Sequence, residues 1–192
     1  SDTWKTIPTK GAPSRRAWNT LLWTGKEMLV WGGANATKVL NDGGRYNPAT
    51  GSWRPISTDG APSPRGSHVS VWTGKEMIVW GGSAREPGAL GDYFENGARY
   101  NPEMDTWKPI STINAPKGRV LATAVWTGTE MILWGGVNDA QTGTGNRFVG
   151  TGARYNPATD TWTAITTTGA PSPRLTSVVW TGEGLLIFGG YN

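Results

Sequence analysis

The sequence predicts an all-β fold, and three observations predict it. Paired glycines recur at positions 32–33, 81–82, 135–136 and 189–190, which lie 49, 54 and 54 residues apart. The 192 residues include 28 Gly, 13 Pro and 12 Trp, a balance that suits short strands and tight turns rather than long helices. Apolar residues fall in short runs rich in Val, Ile, Trp and Tyr, and helical spacing is nowhere sustained. One supersecondary unit stacked several times explains such a period. A single domain over residues 1–192 is therefore expected, with units at about 11–57, 60–110, 114–166 and 169–192, the last joined by 1–7.

Each unit reads as four strands. In the second, strand a covers about residues 65–72, strand b 76–80, strand c 97–101 and strand d 106–110. Thr73-Gly74 makes a tight a–b hairpin, where glycine supplies a positive φ. Pro102 ends strand c because it has no N–H to donate to a ladder. The c–d joint is nearly constant between units. The b–c joint is not: 11, 16 and 17 residues separate Gly-Gly from Arg-Tyr in the first three units. In an up-and-down sheet the b–c and d–a joints share one end. All length variation, and every Gly-Ala-Pro-Ser segment or its variant Asn114-Ala115-Pro116-Lys117, thus falls on one face. Loops carry function more often than scaffold does, so a ligand face is expected there.

The order Arg, apolar strand ending in Trp, Gly-Gly, variable loop, Arg-Tyr-Asn-Pro, short turn and Trp resembles the kelch repeat over essentially the whole chain. The wording Trp-Thr-Gly-x-Glu-Met-x-x-Trp-Gly-Gly resembles bacterial kelch proteins in particular. The resemblance implies a β-propeller of about four blades, each of four antiparallel strands with strand a nearest the axis. It implies that Tyr46, Tyr100 and Tyr155, with the strand-d tryptophans Trp4, Trp53, Trp107 and Trp162, pack between blades. Eleven of the 12 Trp occupy three repeated positions; Trp18 alone is out of frame, aligned with Ser67. The chain opens on a strand d and ends just after the last Gly-Gly, so residues 1–7 are expected to close an incomplete fourth blade. Kelch propellers usually have six or seven blades. Three readings of the short count stay open: a fragment of a larger propeller, a small closed ring, or a part that completes itself by pairing. The favoured expectation is a homo-oligomer, a dimer giving about eight blades, because an unpaired strand edge invites another strand.

Composition narrows the chemistry. There is no Cys, which excludes disulfides and thiolate sites and leaves the compartment open; a secreted, periplasmic or cell-surface location is expected over the cytoplasm. No apolar run reaches the ~20 residues of a membrane span. Net charge is +4 with Lys and Arg dispersed, which argues against nucleic acid. A lone His68 forms neither a metal site nor a Ser-His-acid triad, so no metal, cofactor or catalytic residue is assigned. The family includes copper oxidases of the galactose oxidase type, whose cysteine-linked tyrosine and histidine ligands cannot be assembled here. Glu27, Glu76, Glu130 and Glu183 follow each a–b turn and read as scaffold, whereas Glu86, Asp92, Glu95 and Asp139 are unrepeated acids in or beside the long loops.

The candidate binding residues are Arg16, Arg65, Arg119 and Arg174, which open strand a in every unit, together with Trp18 as a stacking platform. Four guanidiniums around an axis suit carboxylate or phosphate. The alternative is that each ties down its own Gly-Ala-Pro-Ser loop or stacks on a neighbouring Trp. The expected function is a non-catalytic scaffold presenting loops to a protein, peptide or glycan. A propeller part without evolved activity, and a fragment of a sugar epimerase or lyase, are the alternatives.

Overall fold

Short apolar strands punctuated by glycine and proline settle into four antiparallel sheets in the computed structural model, which describes residues 2–84, 93–138 and 148–191. Blade 1 holds β1 (Thr20–Trp23), β2 (Met28–Trp31), β3 (Gly43–Asn47) and β4 (Ser52–Pro55). Blade 2 holds β5 (Val69–Trp72), β6 (Met77–Trp80), β7 (Gly97–Asn101) and β8 (Thr106–Pro109). Blade 3 holds β9 (Thr123–Trp126), β10 (Met131–Trp134), β11 (Gly152–Asn156) and β12 (Thr161–Ala164). Among the described residues, blade 4 holds β13 (Leu175–Trp180) and β14 (Leu185–Tyr191) alone. Strand order follows the chain in each sheet, and β1, β5, β9 and β13 adjoin one another as the innermost strands. This is an all-β kelch-type propeller whose last blade is incomplete.

Register gives each blade two unlike faces. In blade 2, Met77 stands opposite Trp72 and Tyr100, and Tyr100 opposite Trp107, so these four line one face, here called rear. Val71 opposite Ile78, and Trp80 one pleat further, line the forward face. Forward meets rear at each internal seam. Leu29, Trp31 and Ile56 of blade 1 pack on Met77, Val79, Tyr100 and Trp107 of blade 2. Val71, Ile78, Trp80 and Ile110 of blade 2 pack on Met131, Leu133, Tyr155 and Trp162 of blade 3. The tryptophans meet obliquely, Trp31 with Trp107 at 5.0 Å between centroids and Trp80 with Trp162 at 5.5 Å. Oblique approach avoids the quadrupole repulsion of a face-to-face sandwich.

Polar latches fix the same seams. The indole N–H of Trp107 donates to Ser57 O at 2.8 Å, and that of Trp162 to Ser111 O at 2.8 Å. Asp105 Oδ1 accepts from the Tyr100 hydroxyl at 2.6 Å and from the Ser57 amide at 3.0 Å. Asp160 repeats this with Tyr155 at 2.6 Å and Ser111 at 2.9 Å. Burial works against the Asp105 carboxylate, but the hydroxyl, the amide and the charge of Arg45 together hold it below the usual range. Arg45 donates to Pro102 O and Arg99 to Pro157 O, each from one blade to the next. Gly82, at φ +88°, shows why strand b ends in glycine: a Cβ there would stand 2.7 Å from Gly66 O and 2.9 Å from His68 Cβ.

The expected closure by residues 1–7 does not form. None of the described residues 2–7 is in a strand, Trp4 is fully exposed, and β14 pairs with β13 only. The reason lies in the pairing order. In blades 1 to 3 strand d hydrogen-bonds to strand c, and the fourth sheet offers no strand c among the described residues. The segment instead rests on blade 1, where Pro8 O accepts the Trp53 indole N–H at 2.9 Å. Pro8 thus takes the position that Ser57 and Ser111 hold in the internal seams.

Candidate functional site

The ligand face expected from the sequence can be located from the backbone. Just before each of the first three inner strands one residue adopts a left-handed conformation: Trp18, Ser67 and Leu121, all at φ +55°. None is glycine, so the turn is strained and must be held by its surroundings. It is held by neighbouring blades. Ser67 N–H donates to Trp18 O at 3.0 Å, and Leu121 N–H to Ser67 O at 3.0 Å. The three residues therefore form an inner rim at the end of the strands where the b–c and d–a joints meet. Trp18 is 48% and Leu121 46% exposed on that rim.

The four arginines stand one turn behind it and are directed into their own blades. Arg65 donates from Nε to Ser63 O at 3.0 Å, and from one terminal nitrogen to Gly81 O and Asn96 O, both at 3.0 Å. Its other terminal nitrogen reaches Asn96 Oδ1 at 2.8 Å, and the guanidinium carbon lies 4.2 Å from the Phe94 ring centroid. Arg119 repeats the pattern on Lys117 O, Gly135 O and Thr151 O at 3.0, 3.1 and 2.8 Å. Arg16 does so on Ser14 O, Gly32 O and Asp42 O at 2.9, 3.1 and 3.0 Å, and adds the Asp42 carboxylate at 2.8 Å. Among the described residues, Arg174 keeps Ser172 and Gly189 O. Each guanidinium joins the d–a loop, the end of strand b and, in the first three blades, the residue before strand c. Of the sequence alternatives for these arginines, this geometry is the tie on the blade's own loop, not an open ring of forks. Burial pulls Arg65 and Arg119 down to about 10, which still leaves both charged near neutrality.

The other candidates resolve differently. His68 is buried, its Nε2 2.7 Å from Thr20 Oγ1 and its ring edge-on to Trp31 at 5.3 Å. Burial first, and the Arg65 charge second, lower its pKa to about 3, so it is neutral under ordinary conditions. Glu27, Glu76 and Glu130 pair with the strand-c arginines Arg45, Arg99 and Arg154 at 3.8, 3.6 and 3.7 Å, on the face opposite the rim. Glu183 does not belong with them. Thr181 N–H donates to Gly184 O as Thr73 N–H does to Glu76 O, which puts Gly184 in the repeated position. Glu95 pairs with Lys117 at 3.5 Å, while Glu86, Asp92 and Asp139 lie outside the described residues. Leu121 was not legible as a site residue, because the aligned positions hold Trp, Ser and Leu and only the shared positive φ unites them.

The family model for the KLHDC2/KLHL20/DRC7 Kelch-repeats domain matches residues 1–190. A search of the curated proteins returns no match.

Proposed function

The chain belongs to the Kelch-repeat family, whose domains are in general non-catalytic protein-interaction scaffolds, and on that premise we propose that it binds an extended segment of another protein at the rim of its variable-loop face. One observation carries this reading: Trp18 and Leu121 are about half exposed, yet fixed by backbone bonds to the adjacent blade. Apolar side chains that are exposed and already ordered lose little freedom on binding, which is how interface anchors work. The arginines serve it indirectly as posts for the surrounding loops. A peptide is favoured over a glycan because Leu121 offers no hydrogen bond and no ring to stack on a sugar. The working unit in this reading holds more than one copy of the chain.

Selection from a displayed peptide library tests the site. Selected peptides are expected to bind Trp18→Ala at least about tenfold more weakly, as for truncation of an interface anchor, with the circular dichroism spectrum unchanged. Peptides unaffected by both Trp18→Ala and Leu121→Ala, or binding of glycans alone, would overturn it.

A further inference from the structure

The two ends of the blade array expose the two halves of the seam that is closed everywhere else. On blade 4, Val179 opposite Leu186, and Phe188 one pleat on, occupy the forward-face positions held by Val71, Ile78 and Trp80 in blade 2. Those three are 5%, 0% and 1% exposed; Val179, Leu186 and Phe188 are 60%, 60% and 93%. On blade 1 the rear face is open. Leu21 and Trp23 are 64% and 55% exposed, and with Ile7, Met28 and Tyr46 they line an apolar groove of about 420 Å³. Met77 and Met131, which correspond to Met28, are fully buried by the blade before them. The two faces do not cover one another within one chain.

We infer that a second copy of this chain covers them head to tail, the forward face of β13–β14 of one copy packing on the rear face of β1–β4 of the next. The inference rests on the multi-copy reading above and specifies its surfaces. The occupant follows from the internal seams, which this contact would continue with the same residue classes on the same registers. Forward faces offer aliphatics and one large aromatic from strand b; rear faces offer Met, Tyr and Trp in a cross-strand row. Forward on forward would repeat neither seam. The contact would also bring residues 2–9 of one copy, already seated on its blade 1 through Pro8 O, beside the two-stranded blade 4 of the other. It would set Gly190 N–H toward Arg16 O, as Gly33 N–H meets Arg65 O at 2.8 Å and Gly82 N–H meets Arg119 O at 2.9 Å. One feature distinguishes this contact from the internal seams. Gly51 stands where Asp105 and Asp160 make their latches, and Pro8 has no N–H to offer such a carboxylate. The contact between copies is apolar, and blade 1 holds its own residues 2–9 without the carboxylate latch found at the internal seams.

Sedimentation velocity of the whole 192-residue chain, from about 1 to 100 μM, a range bracketing micromolar dissociation, tests the inference. A dimer that dissociates on dilution is expected. Phe188→Asp and Leu21→Asp should each raise the dissociation constant at least about tenfold, as for loss of a central apolar anchor. Both side chains are exposed in the single chain, so circular dichroism should not change; Val179→Asp is a second forward-face variant should Phe188→Asp misfold. Mixing the Phe188 and Leu21 variants should restore a heterodimer, since each retains the face that the other lacks. A wild-type monomer throughout would overturn both this inference and the multi-copy reading. A dimer that survives Leu21→Asp would overturn the head-to-tail contact alone.

Discussion

Trp80 and Phe188 hold the same place in strand b of blades 2 and 4, each ahead of the paired glycines, yet one is 1% and the other 93% exposed. Their strands are equally apolar, and each pairs with strand a over four consecutive residues, with a register shift beyond Ser177 in blade 4. What differs is the neighbours: β6 has β7 beside it, β14 has no strand c among the described residues, and the blades that cover them differ as well. Among the described residues, blade 2 has a blade on each side, and blade 4 has one behind and none in front. A repeat unit thus carries its hydrophobic pattern in its own sequence but obtains its burial from the next unit, and stability is a sum over seams rather than over blades.

The sharpest way to break this comparison is to truncate both residues. Trp80→Ala should cost about 3–5 kcal/mol, as for a large aromatic removed from a packed core. Phe188→Ala in the dilute chain should cost under about 0.5 kcal/mol, as for an exposed position. Urea denaturation reads both, and equal losses would end the seam account. Next in size is the arginine pair. Arg65→Ala leaves the buried carbonyl of Gly81 without its donor, while Asn96 O keeps the Gly81 N–H, and should cost about 1–3 kcal/mol. Arg174→Ala, at a site open to water, should cost under about 1 kcal/mol by the same assay.

These arginines also mark how far the sequence was legible. Spacing located them and the strands well: β7 begins and ends where the reading placed it, and β6 and β8 differ by one residue at one end. Strand a is shorter than read, because Ser67 turns left-handed and breaks it, and neither glycine nor asparagine occupies that position in any of the first three blades. The direction of the guanidiniums was not legible either. A ring around the axis and a tie within each blade need the same residue at the same spacing, and only the carbonyl positions separate them. The N-terminal closure failed because strand d was recognised by its Trp alone, whereas a strand needs a partner's ladder. The glutamate pattern failed at Glu183 through a one-residue offset in the last hairpin.

Acid sharpens the comparison further. His68 lies at the first seam with its pKa lowered from about 6.5 to about 3. A group depressed on folding stabilises fully above its unfolded value and loses that contribution as pH falls toward the folded one. Stability should therefore decline from about pH 6.5 toward pH 3, and His68→Asn should flatten that slope in thermal melts. Asp105 and Asp160, also lowered, add a loss that begins only as pH approaches the ordinary aspartate range near about 3.9. Asp105→Asn should cost about 1.5–3 kcal/mol at neutral pH, the value of a hydrogen bond to a charged group. The smallest effect is a gain. Gly51 already sits at φ +62° with open space at its Cβ, close to the φ of 52° and 54° at Asp105 and Asp160. Gly51→Asp should give the Tyr46 hydroxyl a carboxylate partner and add about 0.5–1 kcal/mol, seen as a raised melting temperature.

Amide hydrogen exchange, read strand by strand at two protein concentrations, tests most directly the claim that burial comes from the neighbouring blade. The strongest protection is expected in β6 and β7, unchanged by concentration, and the weakest in β13 and β14, rising as copies associate. Uniform protection across the four blades, or protection in β14 that matches β6 in the dilute chain, would contradict it.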